Sequence, residues 1–385
     1  MKLKLKTLSP VNIGTGQNYG AYEFIRNRNE LKRIHLSNFL RLLDKEQVKK
    51  ISKELENNDF SLNEFVIREK VPDIPARYSM NYNATSTIDS IREQIKTNNI
   101  PYIPGSSIKG AIRTAILWKY LRENASSYND LKRSIENTIS KGEKPNRLKK
   151  NIANYSIDKI FGLNPDKKDA KFDLLKFVEI SDFMPDEDSK QLEIEEIKTY
   201  SIRQDGTLAP KHYSIFSETL FGSFEGTIRL SPQIKYAIND EKYPLLKKKL
   251  EMIGLTEDYM ANLKMPEEKM IQYIRKCLSE FNNWAIEKEI MLCESDSNFT
   301  GILEKYKNKD TIRIGFSVGT TYQTMIKLIE ETDSQLFYKI INRLELHGHK
   351  NKKHYLYEPN LQNIPYPKTI EFTESGEPLG WLEWS

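Results

Sequence analysis

The sequence predicts an α+β protein built from two related modules. Three observations carry that prediction. A chain of 385 residues is longer than one typical core serves. The opening "KLKLKT" alternates strictly, whereas "SSIKGAIRTAI" carries apolar residues at helical spacing, so strand and helix are both written into the chain. Finally, "KLKLKTLSPVNIG" and "GTIRLSPQIK" each place a strand before Leu-Ser-Pro, an echo that fits two copies of one plan.

Taken in order, residues 2–8 put Leu3 and Leu5 on one face and Lys2, Lys4 and Lys6 on the other, a half-buried strand with a basic second face. "SPVNIGTG" follows, with Gly14 and Gly16 flanking Thr15. Next comes a short hairpin around Asn27 to Glu30 and a helix from about Ser37. Residues 71–100, with two Pro-containing turns and the polar "ARYSMNYNATST", predict an extended loop. Pro104-Gly105 signals a turn, and Ser106 or Ser107 is a good N-cap for the helix carrying Ile108, Ala111, Ile112, Ala115 and Ile116. Residues 124–171, with "KGEKPNRLKK" inside, predict a polar insertion that is basic at its centre.

"FDLLKFVEISDF", "LEIEEIKTYSI" and "GTIRLSPQI" supply further strands. A helical stretch over 241–293 breaks near Pro266, and "DTIRIGFSVGTTYQTMIKLI" returns to strand, glycine loop and helix. The tail "YPKTIEFTESGEPLGWLEW" predicts a hairpin turning on "ESGEP". The resulting division places one module in 1–220 and the other in 221–385, with inserts near 124–171 and 240–300.

Hydrophobic residues make up 38% and charged residues 29%, a globular balance. No run approaches the ~18 apolar residues of a membrane span, and the first residues lack the apolar core of a signal peptide, so a cytoplasmic protein without membrane contacts is expected. A net charge of +5 permits a polyanionic partner without demanding one. Cys277 and Cys293 are expected to fill core, and two cysteines alone make no zinc site.

Two glycine loops, "IGTG" (13–16) and "IGFSVGTTYQT" (314–324), are candidate contacts to nucleic acid, because glycine lets a backbone approach phosphate or sugar. Taken singly, each reads more readily as a tight turn than as a ligand site, and neither is a P-loop or a G-x-G-x-x-G fingerprint. Lys109 and Arg113 share a face at the start of the 106–122 helix, a ready phosphate seat. The plainer reading is a capped amphipathic helix with solvated charges. His35 and His212 stand alone, and "HGHKNKKH" groups three histidines without a cysteine or acidic partner. Asp182 lies beyond a strand and Asp205 in a turn, without the clustered carboxylates of a metal nuclease. No metal and no cofactor are expected.

In combination these stretches are more specific. "LSPVNIGTG", "YIPGSSIKGAIRTAI", "VEISD", "IRIGFSVGTTYQT" and "YPKT…PLGW" occur in this order, and together they resemble the RAMP-superfamily subunits of type III-A CRISPR (Csm) effector complexes, in particular the subunit that caps the crRNA 3′ end. The resemblance covers both ends and the middle of the chain and leaves the two inserts unmatched. It implies ferredoxin-like, RRM-related modules that bind the crRNA 3′ region and support crRNA maturation and antiviral defence, without catalysis of their own. The implied partners are crRNA and target RNA, other Csm subunits including the adjacent backbone subunit, and host nucleases in crRNA maturation. Carried over by position, it implies RNA contacts at Gly14, Thr15, Gly16, Ser106, Ser107, Lys109, Arg113, Gly315, Gly319 and Thr320. Two alternatives remain: an endoribonuclease that cleaves crRNA precursor or target RNA through Asp182 or His35, and a protein-only scaffold whose glycine loops shape subunit contacts.

Overall fold

The computed structural model describes residues 1–27, 29–56, 60–71, 74–82, 88–142, 158–167, 169–186, 192–255, 266–346 and 365–385. Its first half contains β1 (Lys2–Thr7), β2 (Gly14–Gly20), β3 (Phe24–Asn27), β4 (Glu30–Ile34), β5 (Ala76–Tyr82), β6 (Ser90–Gln94), β7 (Lys96–Thr97) and β8 (Ile100–Pro101). Further along the chain come β9 (Val178–Ile180), β10 (Met184–Pro185), β11 (Leu192–Ile202), β12 (Leu208–Leu220), β13 (Ser223–Leu230), β14 (Thr311–Arg313), β15 (Thr369–Thr373) and β16 (Trp381–Trp384).

The first sheet runs β10-β13-β1-β16-β14, with β9 also on β13. Strand β1 is central, as its alternation demands: Leu3 and Leu5 are buried, each worth about 1.5–3 kcal/mol, while Lys4 reaches Asp186 at 2.7 Å on the opposite face. The two Leu-Ser-Pro strands, β1 and β13, lie side by side and antiparallel, Leu3 opposite Gly226. The main core covers this sheet with the helices Gly105–Glu123 and Pro266–Leu292. Trp118 meets Phe281 at 5.7 Å and Trp284 at 5.3 Å, so residues within the expected 240–300 insert build part of that core. Cys277 and Cys293 are buried and unpaired, and burial pushes both thiols up to about 12.

The second sheet runs β2-β6-β12-β11-β5-β4-β3, with β15 on the free edge of β11. Its own core is small and aromatic: Tyr19, Phe24, Tyr82 and Phe216 around Leu31, Met80 and Ile91. A third cluster, including Phe39, Ile51, Phe60 and Phe65, holds a helical cap formed by Leu36–Leu40, Lys45–Glu56 and Leu62–Glu69.

Three expectations change. "ARYSMNY" is strand β5 and no loop, since Met80 and Tyr82 alternate into the small core while the backbone bonds β4 and β11. The tail hairpin is minimal: Phe372 and Pro378 form one antiparallel bridge across the turn, and beyond it β15 belongs to the second sheet and β16 to the first. The "ESGEP" turn survives, with Gly376 N–H donating to Thr373 O at 2.9 Å, and it carries the chain from one sheet to the other. The 105–123 helix begins at Gly105 after Pro104, ahead of either serine. The centre of the polar insert and the "HGHKNKKH" tract lie outside the described residues. No described helix is long and apolar enough to cross a membrane.

Candidate nucleic-acid interface

The helix start is anchored by the first sheet. Asp182, just past β9, accepts the Gly105 N–H through Oδ1 at 2.9 Å and so supplies the cap that Ser106 and Ser107 were expected to provide. Gly105 faces the backbone of Ile180 and Ser181 so closely that a side chain would collide with both carbonyls. Its role is helix-to-strand packing. Gly110, one turn later, faces open space, and Ser106 beside it is exposed.

The two cations of this helix have different fates. Arg113 makes a two-pronged ion pair with Asp173, at 2.7 and 2.9 Å, and lies 4.8 Å over the Phe161 ring. Its guanidinium fork is therefore occupied from within the chain. Lys109 has no hydrogen-bond or ion-pair partner among the described residues, and partial burial lowers its pKa despite the pull of Asp173. A half-buried ammonium without a partner gains from an anion arriving at that face.

The two glycine loops meet each other. Gly315 has a left-handed backbone (φ +96°), and its Cα faces the Asn12 carbonyl with no room for a Cβ. The next amide, Phe316 N–H, donates to that same oxygen at 2.7 Å. The Phe316 ring then stacks on Arg92 at 4.0 Å, and Arg92 reaches to within 3.5 Å of where a Gly14 side chain would start. "IGTG" is no free loop: Gly14 opens β2, and a shift of register against β6 between Gly14 and Asn18 makes Thr15, Gly16 and Gln17 a bulge. Gly16 and Gly319 both face open space. The Thr320 carbonyl accepts the Thr324 N–H at 3.0 Å.

Beneath this junction lies Glu218 of β12, fully buried. Its Oε1 accepts the hydroxyls of Tyr19 (2.8 Å) and Tyr78 (2.9 Å), and its Oε2 accepts Gln94 N–H (2.8 Å) and the Lys96 ammonium. Its carbonyl accepts Asn12 Nδ2 at 2.8 Å. The carboxylate thus ties together β2, β5, β6 and β7, and the backbone carbonyl of the same residue adds the loop after β1. Burial and the adjacent negative charge push both tyrosines above their usual range, and burial lowers Lys96 although Glu218 opposes it.

Over that floor opens a polar cleft of about 320 Å³. It brings together Thr15 of the bulge and His35 at the head of the helical cap, two residues far apart in sequence. Arg77, Glu93 and the Asn98–Asn99 tip of the β7–β8 hairpin complete the walls. The helix-start residues occupy a different place, against β9 on the first sheet. Arg92, Phe316, Lys96 and Glu218 escaped the sequence reading. The one usable signal was "SETL", a glutamate in the middle of a strand where a carboxylate survives only if fully paired. Among the described residues no three His, Cys, Asp or Glu side chains are grouped to hold a metal ion.

The RAMP superfamily model matches residues 4–350. The chain belongs to the RAMP superfamily. Over its whole length it is 24% identical to the "CRISPR system Cms protein Csm5" of Methanocaldococcus jannaschii, covering 88% of that protein. The Streptococcus thermophilus protein of the same name is 29% identical over 37% of the chain and 46% of its own length. Among solved structures, a chain of the Csm–crRNA–target RNA ternary complex of a type III-A CRISPR-Cas system superposes with a TM-score of 0.71 at 21% identity, each chain fully covered. The crystal structure of T. onnurineus Csm5 gives 0.64 at 19% identity, with 99% of each chain covered. These likenesses agree with an α+β fold of the ferredoxin-related RAMP type.

Proposed function

We propose that this chain is the RNA-binding, end-capping subunit of a type III-A CRISPR effector complex, a cytoplasmic protein that holds the crRNA 3′ region and docks on the adjacent backbone subunit. The observation that carries the reading is the end-to-end match, with no large segment left over, to Csm5 proteins and to a chain of a crRNA-bound Csm complex. Target RNA and other Csm subunits are the further partners. Two modules, 1–220 and 221–385, belong to this reading, interlocked because β1 lies between β13 and β16.

Lys109 is the phosphate contact of the helix start, flanked by Ser106, Ser107 and the open backbone at Gly110. Arg113 supports that face through Asp173. The bulge at Thr15 and Gly16 and the open turn at Gly319 and Thr320 form the second contact. A binding role without catalysis is favoured because the carboxylate of Asp182 is engaged as a helix cap. The test incubates the chain, alone and with its backbone subunit, with end-labelled RNA in the presence and absence of Mg²⁺. A gel shift with RNA left intact is the expected result. Protein-dependent fragments that vanish on substitution of Asp182 or His35 would install the endoribonuclease reading instead.

A further inference from the structure

We propose that the cleft between the β2 bulge, His35 and the β7–β8 hairpin is a subsite for one unstacked nucleobase, guanine in preference to the other three. The inference rests on the RNA-binding reading and deepens it, since the cleft lies apart from the helix start and its phosphate-seeking lysine. Its volume, about 320 Å³, sits at the low end of the ~300–1,000 Å³ of small-ligand pockets, enough for one base and its sugar and too little for a run of stacked bases.

The lining chemistry decides between phosphate and base. A pure phosphate seat gathers donors and excludes carboxylates. Here Glu93, which accepts the Thr15 hydroxyl at 3.4 Å, lines the same cleft as Arg77 and the amides of Asn98 and Asn99. A lining that mixes acceptors and donors suits the edge of a base, as in single-stranded RNA recognition. Guanine alone among the four offers two adjacent N–H donors on its Watson–Crick edge, which a carboxylate takes with both oxygens.

The cleft is also built in advance. Gln94 and Lys96 of the floor are pinned by Glu218. The Gln94 side chain is spent on Ile13 N–H at 2.7 Å and Tyr102 O at 3.2 Å, tying the bulge strand to the hairpin. Asn98 and Asn99 both hold left-handed backbones (φ 51° and 64°), which turns the hairpin tip sharply and which asparagine tolerates better than most residues. Arg77 Nη2 donates to Asn99 Oδ1 at 3.2 Å, which fixes the guanidinium against the hairpin tip.

The test uses the full chain and fluorescently labelled 12-mer RNAs: all uridine, or uridine with guanosine, adenosine or cytidine at every third position. The wild type is expected to bind the guanosine series most tightly. Glu93→Gln should cut that preference about tenfold with an unchanged salt slope, and Arg77→Ala should weaken binding to every RNA about tenfold. Asn98→Asp, which keeps the left-handed turn and adds a second negative charge, should weaken all binding as well and stands in if Arg77→Ala lowers the melting temperature. If the wild type binds RNA while all three folded variants keep its affinity and base order, the subsite is refuted and the RNA-binding reading stands. If neither the chain nor its assembled complex binds any of the RNAs, both readings fall together.

Discussion

The helix start at 105–113 and the glycine-loop junction around Glu218 are the two polar regions named above, and they are built on opposite plans. The helix start looks cationic in sequence, yet half of its charge is consumed by Asp173 and its first glycine by the backbone of Ile180 and Ser181. The junction looks like two unremarkable glycine turns, yet it is assembled on a buried, five-bonded glutamate and leaves an open polar cleft above. The contrast shows that a conspicuous charge pattern reports local packing as readily as a ligand, whereas a site drawn from several strands is conspicuous nowhere in the chain.

The largest expected effect breaks the junction at its hub. Glu218→Ala strands the buried Lys96 ammonium and two tyrosine hydroxyls, and should cost about 3–5 kcal/mol in denaturant unfolding. Its pH dependence has a defined sign. Lys96 already releases its proton more easily in the folded chain than in the unfolded one, and removing Glu218 strengthens that trend. Between the folded pKa and the unfolded value of about 10.4 the unfolded state binds more protons, so the deficit should shrink as pH rises through that window. A deficit that grows with alkalinity would contradict the assignment.

Next comes Gly315→Ala, which puts a methyl group against the Asn12 carbonyl at a positive φ, for a loss of about 2–3 kcal/mol. Alanine at Gly319, equally left-handed but facing open space, should cost about 1 kcal/mol, and equal losses at the two would remove the case for a packed junction. On the helix-start side, Arg113→Ala should destabilise by about 2 kcal/mol because Asp173 loses both charged donors, and thermal melting reads it directly. If Arg113→Ala instead left stability intact and flattened the salt dependence of RNA binding, its fork would belong to RNA and not to Asp173.

The smallest effect on stability, and the sharpest on binding, belongs to Lys109→Ala. Melting should change by less than about 0.5 kcal/mol, while the slope of log K against log salt falls by about 0.7, one phosphate's worth on a single strand. An unchanged slope would leave the helix start as pure scaffold and place binding at the junction.

Much of the local structure was legible because it is repetitive. Alternation in "KLKLKT" and helical spacing in "SSIKGAIRTAI" each report a single buried face, and the chain needs no distant partner to state it. Strand β5 was missed because its outward residues are polar on a sheet that is largely covered. Strand β12 was passed over because Pro210 and His212 interrupt its pattern before Ile215. The tail hairpin stops at one bridge, Phe372 with Pro378: local turn chemistry forms it, but β15 and β16 pair with strands of two different sheets.

By itself the sequence determined the α+β class, the half-buried first strand, the helix near 106, the absence of a nucleotide-binding glycine motif and the likeness to RAMP subunits, all properties of short windows or of their order along the chain. Only the tertiary structure decided which glycine packs and which stays open, which cation is already paired, and which distant residues share a cleft. Those outcomes depend on contacts between segments as much as two hundred residues apart, Asn12 with Glu218 and Arg92 with Phe316, and a pairing of that kind leaves no period in the sequence to read.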